Sequence, residues 1–446
     1  MAKIAFIGAG SYGFTHRLLF DIISYDELRH SDFVFMDVDD ERMRRLKITV
    51  KLFFDQQGLD FGKVSFTKNR KQALEGADFI INLVKIGFHE MACMDLDVPK
   101  KYGLKQTIGD TSCLAGVFRA LRTMPFCMEM CKEIEEVSAP GAVVLNYTNP
   151  QAMIVMACAA VSRVPFIGLC HSVQGTTRIM ARMLNLPYEE CRFESAGINH
   201  MSWITTFEHK GQDVYPKLRA LVKRKGIFGW KEKGDVVQPF LGPTRLDMLN
   251  RTGYVVTESS VHFAEYVPYY LRTDELAAQY KVSVDQYKRN IESKTKTHEA
   301  FFKEAQKGKL PELKRSVEYG SQIIHSMVTG TAACVYANVM NQDLVTNLPR
   351  NSCVEIACLV NRNGVQPCRF GELPTVLAAL NTMEINVHQL AVEAILKRSR
   401  RAVVHALMMD PLTHSMMTID QMEDVVDTLV EKQKAYLGKY LGKKGS

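Results

Sequence analysis

Lys3-Ile4-Ala5-Phe6-Ile7-Gly8-Ala9-Gly10-Ser11-Tyr12-Gly13 opens with an apolar run of strand length and breaks into three spaced glycines. A strand that runs into G-x-G-x-x-G and then into a helical pattern is the strand-turn-helix of a dinucleotide-binding fold. Gly8 permits the tight turn and Gly10 lets the backbone approach a diphosphate. Ser11 and Gly13 open the helix, whose N-terminus meets the negative charge. Asp37 ends the second apolar run, DFVFMD, where an acid takes the adenine-ribose hydroxyls and repels the additional phosphate of NADP. NAD is therefore the expected cofactor. Asn82 and Ile86, at the end of the fourth run, are expected along the dinucleotide. The competing reading is a ligand-free turn with Asp37 as a helix cap; the agreement of strand, glycines, helix and acid weighs against it.

Working outward, strand-length apolar runs recur at KIAFIG, DFVFMDV, KVSFT, DFIINLV, AVVLNYT and FIGLCHS, ending at Ser172. Amphipathic stretches such as Val117–Val137 separate them. Strands alternating with helices predict a parallel sheet covered on both faces. After about residue 195 the pattern changes. Ile198–His209 reads as strand-like, while Ser316–Met340 and Thr375–Leu396 read as helix-rich. The expected fold class is α/β: a Rossmann domain over 1–195 fused to an α+β substrate domain over 196–446. No Pro/Gly/Ser-rich linker separates the halves, so one fused body is expected.

Composition narrows the function. The chain of 446 residues carries 56 basic and 49 acidic groups, a mild excess of +7 without an aromatic-interleaved basic stripe. Nucleic acid is not an expected partner. The longest apolar stretch, Ala152–Val161, is too short to span a bilayer, so no membrane partner is expected. The first residues enter a strand rather than a leader, and 11 cysteines in a chain of this size do not read as a secreted disulfide framework. A cytoplasmic enzyme, homodimeric or homotetrameric, is expected. The basic tail Lys439–Ser446 reads as a solvated end.

The chemistry-bearing residues cluster where parallel strands end. The fifth run leads into Asn146-Tyr147-Thr148-Asn149-Pro150, the sixth into Cys170-His171-Ser172, and Gly197-Ile198-Asn199-His200 follows. Ligands bind outside the carboxyl ends of such strands. Cys170 and His200 offer a thiolate and an imidazole, a pair that suits an open transition-metal site. Taken singly, each is as well explained as a core residue.

GAGS, NYTNP, CHSVQGT, GINHMSW and TESSVHFAEYVP occur in this order, followed by VEIACLV and GVQP. In these motifs the chain resembles the NAD- and manganese-dependent family 4 glycoside hydrolases, most of all their melibiase-type α-galactosidases, from Lys3 to about Asp410. The resemblance implies a lactate/malate dehydrogenase-like Rossmann domain with a C-terminal α+β domain. It implies hydrolysis of an α-glycoside, an α-galactoside such as melibiose, by oxidation at C3, deprotonation at C2, elimination at C1 and return of the hydride. The family is an exception to two-carboxylate glycoside hydrolysis. Carried over by position, Cys170 and His200 match the metal ligands, with Mn²⁺ the implied ion. Asn149 matches the substrate-binding Asn, Tyr266 the base, Asp110 the carboxylate that assists it, and His171 the proton donor.

The chain departs from the family pattern at Cys113-Leu114-Ala115, where relatives carry glycine and proline. That puts in question how the Ser112–Gly116 loop meets cofactor or sugar. Within the family, α-glucosidase and α-galacturonidase or α-glucuronidase are the alternatives. Outside it stand an NAD-dependent 2-hydroxy-acid dehydrogenase and a non-catalytic NAD-binding protein.

Overall fold

The protein is described here from a computed structural model that covers residues 1–230, 240–312 and 314–442. The last four residues of the Lys439–Ser446 tail lie outside the described residues.

All six N-terminal runs form strands: β1 (Lys3–Ile7), β2 (Asp32–Met36), β3 (Val64–Thr67), β4 (Phe79–Asn82), β5 (Val143–Asn146) and β6 (Phe166–Leu169). They pair in parallel in the order β3-β2-β1-β4-β5-β6. This is the doubly wound dinucleotide-binding order. β4, β5 and β6 are buried along their whole length, as their unbroken apolar runs require for a sheet covered on both faces. Asp39 caps the Asp40–Gln57 helix by accepting the Arg42 N–H, and Gly58 ends it in the left-handed conformation.

The C-terminal half extends the same sheet. β7 (Cys191–Ile198), β8 (Met201–His209), β9 (Gln212–Asp213), β10 (Val255–Val256), β11 (Ala333–Met340), β12 (Cys353–Asn361) and β13 (Gly364–Pro367) complete 13 strands among the described residues. β11 joins antiparallel to β6, with Ala337 opposite Leu169 and Asn338 opposite Gly168. β12, β7, β8 and β10 follow it outward. The expected boundary at 195 falls inside β7.

One expectation is corrected. Ser316–Met340 is not helical throughout: the helix Gly320–Thr329 stops at Gly330 in the left-handed conformation, and Ala333–Met340 is β11. The apolar run could serve either element, and pairing between β6 and β12 decides it. Thr375–Leu396 is helical as expected, and Ile198–His209 is the turn and second strand of the β7–β8 hairpin.

A buried ion pair ties the chain's end to its N-terminal half. Arg122 Nη2 lies 2.6 Å from Asp95 Oδ2, and Gln433 donates to Asp95 Oδ1 at 2.6 Å. Both charged side chains are almost wholly buried. No helix among the described residues is long and apolar enough to cross a membrane. Arg122→Met should cost about 3–5 kcal/mol, because Asp95 is left buried without its cation. A urea-unfolding midpoint equivalent to less than about 1 kcal/mol of loss would show that the pair is replaceable.

Candidate active site

The glycine turn sits between the carboxyl ends of β1 and β2. The N–H groups of Gly8 and Ala9 both donate to Met36 O at 2.9 Å. Gly8 has φ +80, and a Cβ there would stand 2.8 Å from the Val84 backbone, so strand packing itself demands glycine. Asp37 accepts the Gly10 N–H at 2.8 Å on one oxygen and the Asp39 N–H at 3.0 Å on the other. It therefore locks the turn to the end of β2 and holds a carboxylate beside it. Ser11 precedes the Tyr12–Ile23 helix without a side-chain cap bond. At Gly13 a Cβ would meet only His298 Nε2, at 3.9 Å, so this flank of the turn is open.

Asn82 is placed differently from the expectation. Its side chain is fully buried and donates to Asn146 Oδ1 at 2.7 Å, bridging the ends of β4 and β5. It shapes the strand ends rather than presenting its amide to the groove. Ile86 is half-buried against the core.

At the other end, Asp110, His200 and His262 bring ligand-capable atoms within 4.8 Å of one another. Asp110 accepts from Thr111 Oγ1 at 2.9 Å and from Asn149 Nδ2 at 3.3 Å, and lies 3.5 Å from His262 Nε2. His200 occupies the two-residue turn of the β7–β8 hairpin at φ +64. Its Nδ1 lies 3.1 Å from both Thr111 Oγ1 and Tyr266 Oη. His262 Nδ1 is 3.0 Å from Glu258 Oε2 and 2.8 Å from Ser259 Oγ. Asp110, His200, Tyr266 and Asn149 thus meet in one place.

The electrostatics follow from burial and pairing. Burial pushes His200 down to about 4, against the pull of Glu258 and Asp110, which leaves a neutral imidazole. Burial opposes the Asp110 charge, but the hydrogen bond and charge of His262, with Arg119 and His200, hold its carboxyl well below the usual range. Burial also opposes the His262 cation, and Glu258 and Asp110 outweigh it, so His262 is held protonated. Tyr266 is pushed well above 10 by burial and then by Asp110, Glu265, Glu258 and Glu384. Without a further positive charge it stays a phenol.

Cys170 lies between β6 and the Ser172–Met183 helix, outside the Asp110–His200–His262 group. Burial, then Glu355 and Glu258, raise its thiol well above 9. His171 is half-exposed, and its Nδ1 lies 3.1 Å from Glu318 Oε1, a hydrogen bond that raises its pKa. Its charge is felt at Glu258 and His200.

Three residues that the sequence reading passed over hold this arrangement. His262 and Glu258 stand four and eight residues before Tyr266, a spacing visible in ESSVHFAEY. Their relation to Asp110 is long-range and left no local sign. Glu265 is fully buried and accepts the N–H groups of Thr107, Ile108 and Gly109, the last two at 3.0 and 3.1 Å. It fixes the strand of chain that delivers Asp110. The expected Ser112–Gly116 loop is instead the cap and first turn of the helix Cys113–Val137, and this turn packs behind the same carboxylate. Cys113, at φ +57, points its Sγ to Gln106 Oε1 at 2.9 Å, and Leu114 and Ala115 are buried in the core. These side chains turn inward to the core, with Ala115 against Gly109.

Comparison with known proteins agrees along the chain. Residues 3–186 match the family 4 glycosyl hydrolase profile, and residues 195–413 match the family 4 glycosyl hydrolase C-terminal domain. An α-galactosidase of Bacillus subtilis strain 168 is 35% identical over 99% of this chain and 100% of its own length. An α-galactosidase of Rhizobium meliloti strain 1021 is 32% identical over 98% of this chain and 89% of its own. Among solved structures, a 6-phospho-α-glucosidase from gut microorganisms in complex with NAD and Mn²⁺ superposes with a TM-score of 0.82. It covers 98% of each chain at 20% identity, a likeness of fold.

Glu265→Gln keeps the side-chain shape but places a donor among backbone N–H groups. It should cost about 1–3 kcal/mol of stability and lower turnover, because the Thr107–Gly109 segment loses its anchor. Unchanged thermal unfolding together with unchanged turnover would remove Glu265 from this role.

Proposed function

We infer that this chain, which belongs to the family 4 glycosyl hydrolases, cleaves α-galactosides with NAD and a divalent metal as resident cofactors. The observation that carries the reading is the meeting of Asp110, His200, His262 and Tyr266 beyond the carboxyl ends of a dinucleotide-binding sheet. The preference for galactose is supported by two α-galactosidases above 30% identity, each matched over nearly the whole of this chain.

The residues present fit both groups. The glycine turn is fixed by close packing on Val84 at Gly8 and on Asp37 and Arg42 at Gly10, is open at Gly13, and carries the Asp37 carboxylate beside it for the ribose hydroxyls. For the metal, His200 is a neutral imidazole, the form that ligates, and Cys170 offers a sulfur ligand once its proton leaves. Asp110 adds a charged oxygen within 4.8 Å of His200, so nitrogen and oxygen donors are assembled, with the Cys170 sulfur outside that group.

Held at the glycine turn with Asp37, NAD would supply a reversible hydride acceptor for the sugar C3, and a metal held at His200 would supply positive charge for the sugar oxygens. The chain's own residues do the rest. Tyr266 must first lose its own proton, which a cation beside His200 would favour, and the phenolate oxygen, 3.1 Å from His200 Nδ1, then takes the C2 proton. Asp110 holds the Asn149 amide toward a sugar hydroxyl. His171, its protonated form favoured by Glu318, gives a proton to the departing C1 oxygen.

Nitrophenyl α-galactoside should turn over with NAD, Mn²⁺ and a thiol, faster than the α-glucoside or α-galacturonide, and without steady growth of the NADH band. NADH accumulating in proportion to product would mark a dehydrogenase instead. In heavy water the released sugar should carry deuterium at C2, and Tyr266→Phe should keep NAD binding while losing most turnover. Full activity in that variant would move the base elsewhere.

The metal set is tested separately. Cys170→Ser and His200→Ala should each weaken Mn²⁺ binding in a titration, and His262→Ala tests whether its neighbours Asp110 and His200 share the ion. Chelated enzyme that works at the full rate would overturn the metal's part. The homodimer or homotetramer expected from the sequence is read from sedimentation equilibrium.

A further inference from the structure

The helix Gln286–Gln306 belongs to the C-terminal half yet is fastened at both ends to the nucleotide-binding half. At its start, Asp285 and Tyr287 donate their N–H groups to Gln106 O and Thr107 O, both at 3.0 Å. Lys100 pairs with Asp285 at 2.6 Å, and Lys288 with Asp97 at 2.5 Å. The Tyr287 phenol contacts Lys85 and lies 3.0 Å from His89 Nδ1. At its far end, Arg45 reaches Glu299 at 2.5 Å and lies 4.8 Å from the Phe302 ring centroid. Phe301 packs on His16 of the Tyr12–Ile23 helix, with ring centroids 5.3 Å apart.

Between these anchors the helix spans a gap. The face toward the molecule is Tyr287, Ile291, Lys294, His298, Phe302 and Ala305, at three- and four-residue spacing. Tyr287, Phe302 and Ala305 are buried, but Lys294, in the middle of the same face, is exposed. A stripe buried at both ends and open at its centre bridges a groove. His298 places the floor of that groove: its Nε2 stands 3.9 Å from where a Gly13 Cβ would be.

The groove is strongly basic. Burial first, then Arg119 and Lys294, lower Lys85 to about 7, against Asp110. Burial lowers His89 to about 4, with Lys85, Arg42, Lys294 and Arg119 adding to the effect. His298 is lowered by burial, then by Lys294 and Arg42, with Glu299 opposing. The cations that lower these three groups, Arg42, Lys294 and Arg119, give the groove a positive field that favours an anion near the N-terminus of the Tyr12–Ile23 helix.

We propose that the helix Gln286–Gln306 is a strap across the dinucleotide groove, and that Lys294 and His298 hold the cofactor's diphosphate from the side opposite the glycine turn. Lys294 supplies charge, and His298, a neutral imidazole at pH 7, supplies a hydrogen bond. The strap rests on the reading of NAD as the cofactor. Cofactor binding then draws the centre of the strap down onto the turn, while its two fastened ends stay in place.

The test is calorimetric titration of the full chain with NAD, ADP-ribose, adenosine and glucose 6-phosphate. Lys294→Glu, at an exposed position, and His298→Ala should each weaken NAD and ADP-ribose roughly tenfold or more, and leave adenosine unchanged. Hydrogen exchange across 288–300 should slow when NAD is added. Wild-type protein that binds NAD while both variants bind it equally well overturns the strap and leaves the cofactor reading standing. Wild-type protein that binds no NAD overturns both. Variants that lose only glucose 6-phosphate assign the basic face to a sugar phosphate and overturn the proposal.

Discussion

The Glu265 carboxylate is buried and hydrogen-bonded to three successive backbone N–H groups, those of Thr107, Ile108 and Gly109. It joins two stretches of chain that are far apart in sequence. One delivers Asp110, and the other carries Glu258, His262 and, next in line, Tyr266. Burial pushes Glu265 up to about 7, while the Thr107 and Gly109 N–H groups and His262 oppose that rise. An acceptor that loses its partners here would be costly, since each hydrogen bond to a charged group contributes about 1.5–3 kcal/mol. The spacing of Asp110, His262 and Tyr266 therefore depends on one side chain that itself touches none of the sugar. His200 and Glu258 add left-handed backbone at non-glycine residues, which costs about 1–3 kcal/mol each and is held only because its surroundings are fixed.

Two electrical poles result. Around His200 the fixed charges are the carboxylates Asp110 and Glu258 with the cation His262 between them. Toward the glycine turn they are Arg42, Arg119 and Lys294. The poles meet at Asn149, whose amide donates to Asp110 and whose carbonyl accepts from Arg119 Nε at 3.0 Å. A cation suits the first pole and a diphosphate the second. An uncharged sugar suits the boundary, where hydrogen bonding rather than net charge decides what stays.

Local pattern carried much of this. The six parallel strands were legible because each is a short apolar run followed by a turn and an amphipathic helix. The glycine turn was legible because two of its three glycines, Gly8 and Gly10, have a steric cause. β11 was not legible, since an apolar run is decided by its neighbours, here β6 and β12. His262 and Glu258 escaped for a related reason: each looks ordinary until Asp110 arrives beside it from another part of the chain. The bond from Asn82 to Asn146 was not legible, because a position at a strand end says nothing about the next strand. Cys113, Leu114 and Ala115 looked like a change to the site, yet their side chains fill the core behind it.

The antiparallel seam between β6 and β11 also bears on biosynthesis. Leu169 leaves the ribosome long before its partner Ala337 does. At the usual pace of translation the interval is on the order of ten to thirty seconds. During it, β6 is an apolar edge strand with open backbone groups, the kind of surface that pairs with other nascent chains. Yield in a foreign host should thus depend on synthesis speed and on holdase chaperones more than on the stability of the finished enzyme.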